Sequence, residues 1–68
     1  MDEERFNISL RKLLKEFGIT AQREVEKAVD AGLESGSLAG RESLPARVTM
    51  RVEGLAADIV VEGRIDLA

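Results

Sequence analysis

The hydrophobic period of this chain changes halfway along. Before Gly36 the apolar residues recur three and four apart, and after Pro45 they recur every second residue. A helical period followed by a strand period calls for amphipathic helix first and amphipathic strand second, each with one apolar side. That pattern specifies an α+β fold and leaves the activity open.

The first helix is expected over 2–17. Phe6, Leu10, Leu13 with Leu14, and Phe17 form one stripe, the spacing of a helix that buries one face. Asp2, Glu3 and Glu4 stand at its start, and Arg11, Lys12 and Lys15 near its end, complementing a helix dipole. Gly18 suits the left-handed position that follows a helix, with Ile19 packing back. Thr20 then reads as the N-cap of a second helix over 21–35. Its thinner stripe is Ala21, Val25, Ala28, Val29 and Leu33, and Gly36 ends it. Residues 36–45 form a connector anchored by Leu38 and Leu44.

Two strands follow, over 46–52 and 55–67. Val48, Met50 and Val52 alternate with Arg47, Thr49 and Arg51, and Leu55, Ala57, Ile59, Val61, Gly63, Ile65 and Leu67 with Ala56, Asp58, Val60, Glu62, Arg64 and Asp66. Residues directly opposite in an antiparallel pair share a face, so Val52 must oppose an odd-numbered residue. A two-residue turn at Glu53-Gly54 is the tightest solution, pairing Val52 with Leu55, Met50 with Ala57 and Val48 with Ile59. Looser turns that pair Val52 with Ile59 or Val61 keep the same parity. In the tight register the segment 62–67 has no partner within the hairpin, although Ile65 and Leu67 continue the strand pattern. The same segment of a second molecule is the simplest partner.

Size and composition narrow the function. At 68 residues the chain is one domain, and such a domain buries only about 60% of its unfolded surface. Disulfides, a metal or self-association usually compensate. The chain has no Cys and no His, which leaves self-association. Without His, Cys, Tyr or Trp, the common general bases, thiol nucleophiles and stacking platforms are missing, which points away from an enzyme. No cofactor or metal is expected. Ten basic and thirteen acidic residues give a net charge of −3, mixed along the chain, with no global attraction to nucleic acid or anionic membrane. No apolar run approaches the roughly 18 residues of a membrane span. The Met-Asp-Glu-Glu start lacks the pattern of a signal peptide, and a cytoplasmic location is expected.

Several local patterns have ordinary explanations. Residues 14–25 resemble a helix-turn-helix, yet the places six and nine after Gly18, usually apolar, hold Glu24 and Lys27. Glu24, Glu26, Asp30 and Glu34 would face phosphates unfavourably. Glu26, Asp30 and Glu34 form an acidic stripe that reads as solvated surface beside Arg23 and Lys27. Ser9-Leu10-Arg11-Lys12 matches the S-x-x-K of serine acyl enzymes without its companion elements. Asn7-Ile8-Ser9 matches a glycosylation sequon inside a helix. Gly32, Gly36 and Gly40 lack the ending of a phosphate loop. Gly63, at an inward strand position, leaves room for a large neighbour or a second backbone.

Met1 to Glu4, Phe6-Asn7, Ser9, Arg11-Lys12, Gly18 to Thr20, Gln22 to Glu24, Glu26 to Val29, Leu44 to Ala46 and Gly54-Leu55 together resemble a family of short bacterial proteins, mostly alphaproteobacterial, classed as a domain of unknown function. The resemblance spans nearly the whole chain. It implies a stand-alone cytoplasmic protein and transfers no catalytic or ligand residues.

The resulting expectation is an ααββ protein, a two-helix hairpin packed on an antiparallel β-hairpin, with a four-stranded sheet across a homodimer. Its function would be that of a non-catalytic structural or protein-interaction module, with Ile59, Val61, Gly63, Ile65 and Leu67 at the dimer interface. Its partner is a second copy, with a further protein partner open. The alternative is a degenerate helix-turn-helix or winged-helix nucleic-acid binder using Arg23, Lys27, Arg47, Arg51 and Arg64.

Overall fold

The computed structural model describes residues 1–68 and holds three elements: α1 (Glu3–Ser35), β1 (Ser43–Met50) and β2 (Ile59–Asp66). The class is α+β. The chain divides into two compact units, Met1–Ser37 and Leu38–Ala68.

The first unit is one helix of 33 residues, about 50 Å long at 1.5 Å per residue. The two-helix hairpin expected from the sequence is not formed. Gly18 carries no positive φ, and the helix runs through Gly18, Ile19 and Thr20 without a break. A glycine inside a helix costs only about 1 kcal/mol relative to alanine. A turn here would forfeit several backbone hydrogen bonds, a larger loss. The apolar stripe also stays in phase across the glycine, because Phe17, Ala21 and Val25 follow one another at four-residue steps. With the helix continuous, Arg11, Lys12 and Lys15 lie mid-helix, and the last turn holds no basic residue.

Both ends of α1 are closed by side chains. Asp2, in extended conformation, accepts a hydrogen bond from the Arg5 N–H at 3.0 Å, satisfying a free donor of the first turn. Glu3 and Glu4 place negative charge where the dipole is positive. At the far end Gly36 takes the left-handed conformation at φ 83°, and the Ser35 and Ser37 hydroxyls donate to the Gly32 carbonyl at 3.2 and 3.3 Å.

The second unit is the hairpin, β1 and β2 paired antiparallel with Met50 opposite Ile59, Val48 opposite Val61, Ala46 opposite Gly63 and Leu44 opposite Ile65. The parity matches the expectation, but the pairing is shifted by two residues on β2 from the tight register, and neither looser register forms. Two physical reasons select it. Val52 to Leu55 do make a tight turn, closed by Leu55 N–H to Val52 C=O at 3.1 Å with Gly54 at φ 92°. Glu53 keeps a negative φ, so the turn is of neither type whose twist fits a two-residue hairpin, since both need positive φ at the first central residue. The turn therefore sits inside a longer loop.

Cross-strand chemistry favours the same shift. It places Arg47 opposite Glu62 and Ser43 opposite Asp66, and it brings Arg51 to 3.6 Å from Asp58. The tight register would set Arg47 against Val60 and Thr49 against Asp58. Arg47 Nε donates to Glu62 at 3.0 Å, with a second bond from its Nη2, and the Ser43 hydroxyl donates to Asp66 at 2.6 Å. Opposite-charge pairs across strands contribute about 0.2–1 kcal/mol each.

The shift also disposes of the unpaired tail. Residues 62–66 all face β1, and the Leu67 N–H reaches the Glu42 carbonyl at 2.8 Å. The sheet has two strands, and the argument for a four-stranded sheet built from a free strand end no longer applies.

Candidate functional site

Each unit carries one long apolar face, and no side chain in either unit is buried. On α1 the stripe is Phe6, Leu10, Leu13, Leu14, Phe17, Ala21, Val25, Ala28, Val29 and Gly32. Phe6 and Phe17 remain 48% and 51% exposed. A helix is normally held by packing of such a face rather than by propensity alone. Glu24 interrupts the stripe near its edge, turned toward Lys27, whose Nζ lies 3.6 Å away. Ile8 and Ile19 are exposed on the opposite side of the helix.

On the hairpin, opposed pairs share a face, so Leu44, Ala46, Val48 and Met50 lie beside Ile65, Gly63, Val61 and Ile59. Four of the five expected interface residues, Ile59, Val61, Gly63 and Ile65, are thereby brought onto one apolar surface. Val61 is 62% exposed and Ile65 37%. Leu67 lies just beyond β2, tied to Glu42. A Cβ added at Gly63 would meet nothing within 4 Å, so the room that glycine leaves stays open. Val60 is on the other face, opposite Thr49.

The residues of the alternative reading are dispersed. Arg47 pairs with Glu62, Arg51 with Asp58, and Lys27 with Glu24. Arg64 donates to the hydroxyl and carbonyl of Ser43, both at 2.8 Å. Arg23 makes no ion pair within the chain. The turn that a helix-turn-helix requires is absent, because α1 is continuous. Gln22 donates to Glu26 at 3.0 Å, and no three carboxylates converge as a metal site would need. No helix is long and apolar enough to cross a membrane.

One carboxylate is engaged in a way the sequence did not announce. Glu42 accepts from the backbone N–H groups of Ala39 at 2.7 Å and of Gly40 and Arg41 at 2.9 Å. Gly40 has φ 92°, which helps turn successive N–H groups toward one point, an anion-binding nest filled by the chain's own side chain. The Ala39 hydrogen bond leads the causes that hold the Glu42 carboxyl below its ordinary 4.5, outweighing slight desolvation. A lowered value means the ionised carboxylate is favoured in the folded chain. The stabilisation is therefore present above about pH 4.5 and lost as pH falls through the folded value. Hydrogen exchange should show the Ala39, Gly40 and Arg41 amides protected at neutral pH and released in acid. In Glu42→Gln they should exchange fast at both, and equal protection in the two proteins would refute the nest.

A family of unknown function, DUF6494, matches residues 1–68. The chain belongs to it. No curated protein and no solved structure matches. Membership of DUF6494 brings no assigned chemistry, so function has to be read from the two apolar faces. The α1 stripe as a functional surface was the part that sequence reasoning missed. The signal was present in its unbroken phase across Gly18, read as the cores of two separate helices.

Proposed function

We propose that this DUF6494 protein is a non-catalytic self-association module whose working form is a homodimer. The carrying observation is that neither unit buries a side chain of its own, while Phe6, Leu13, Leu14 and Phe17 on the helix and Ile59, Val61 and other large apolar groups on the hairpin stand exposed. Fixing each residue's backbone costs about 1–2 kcal/mol, which apolar burial normally offsets. Most helical stability in proteins comes from packing of an amphipathic face, and a two-stranded hairpin alone is marginal in water. Apolar faces of this extent mark an interaction surface, and a second copy is the partner always at hand. Symmetric dimers are the commonest assemblies of this kind.

Light scattering over a wide concentration range tests the reading. The expected result is a mass of twice 7.4 kDa that persists on dilution, with helical signal and mass lost together at the lowest concentrations. A folded monomer at every concentration would overturn it.

A further inference from the structure

We propose that two copies pair through the α1 stripe as antiparallel helices, with the two-fold axis level with Ile19. This rests on the homodimer reading and adds the orientation, the register and the contact residues. Eight of the ten stripe residues exchange places when the helix is reversed about Ile19, while Leu14 comes level with Glu24 and Val29 with Ser9. Phe6 and Gly32 stand equally far on either side of that residue, as do Leu10 and Ala28, Leu13 and Val25, and Phe17 and Ala21. Reversal brings each of these positions level with its counterpart in the partner helix.

The side chains fit this pairing by size. Three of the four layers set a large residue against a small one: Phe6 with Gly32, Leu10 with Ala28, and Phe17 with Ala21. Cores are filled to crystal-like density by such alternation across facing positions. A parallel, in-register pair would stack Phe6 on Phe6 and Gly32 on Gly32, crowding one end and leaving the other empty. The stripe is bulky toward the start of α1 and slight toward its end, and only reversal evens the width of the pair.

Charge agrees. Antiparallel helices place the acidic first turn, Glu3 and Glu4, away from its counterpart, and they oppose their dipoles favourably.

The chain has no cysteine, so single substitutions give an unambiguous test. Leu13→Cys and Val25→Cys proteins are mixed in a glutathione redox buffer, and the disulfides are counted by mass spectrometry. The expected result is a mixed disulfide far above the two like disulfides, against the even split of random pairing. Asn7→Cys and Ala31→Cys, level with each other under the same reversal and beside the stripe, repeat the test with a short bis-maleimide and leave the stripe residues intact. Predominance of like products, or an even split, would overturn the antiparallel pairing while the doubled mass of the unsubstituted chain upheld the homodimer. A monomeric mass for that chain would overturn both.

Discussion

Phe17→Asp should dissociate the protein. Phe17 is 51% exposed in one copy, and a phenylalanine presents about 200 Å² in all, so roughly 100 Å² of apolar surface is available to a partner. Two copies bury roughly 200 Å², which contributes about 5 kcal/mol at ~25 cal/mol/Å². The substituted aspartate adds the cost of bringing a charge into an apolar layer. At about 1.4 kcal/mol per decade, the dissociation constant rises at least a thousandfold.

The control is Ile19→Asp, on the opposite side of α1, which should leave the mass unchanged. Light scattering on both proteins decides the matter. An intact dimer for Phe17→Asp together with a dissociated Ile19→Asp would move the interface to the other side of the helix. Because folding and association are linked here, circular dichroism should show Phe17→Asp losing helical signal at concentrations where the parent chain keeps it.

The second large effect is expected at Gly18, where substitutions distinguish one helix from two. Gly18→Pro should destabilise by about 3 kcal/mol or more, because proline removes the hydrogen bond to the Leu14 carbonyl and its ring collides with that group. Gly18→Ala should stabilise by about 1 kcal/mol, since a Cβ at Gly18 meets nothing within 4 Å and φ there is not positive. Thermal melts should shift upward by about 4–8 °C for Ala and downward by more than about 12 °C for Pro. Had Gly18 closed a helix in the left-handed conformation, alanine would be destabilising. A lowered melting temperature for Gly18→Ala would therefore restore the two-helix arrangement.

These effects show where the sequence was readable. Alternation after Pro45 was enough to define an antiparallel hairpin and to sort its residues between faces, because a strand's side-chain period is two whatever the register. Hence Ile59, Val61, Gly63 and Ile65 fall together on one surface although the pairing itself shifted. Register depended on comparing cross-strand partners, and the charges carried that information. Arg47 with Glu62, Arg51 with Asp58 and Ser43 with Asp66 agree on one register, while a tight-turn preference at Glu53-Gly54 pointed to another.

Gly18 misled for a related reason. A Gly-Ile-Thr sequence contains both a helix stop and a helix start, and local signals of that kind favour a break. What overrode them was longer in range, the stripe kept in phase from Phe6 to Gly32. The Glu42 nest was not legible at all, since it depends on three consecutive N–H groups converging through a turn at Gly40.

The sequence by itself determined the α+β class, the antiparallel sense of the strands and the apolar side of every element. These follow from side-chain periodicity, a property of neighbours along the chain. Only the tertiary structure decided that the helix is single, which strand residues oppose one another, and that neither unit buries a side chain of its own. Those outcomes turn on competition between distant groups: hydrogen bonds kept or forfeited at Gly18, charges matched across the hairpin, and apolar surface that each short unit leaves uncovered on itself.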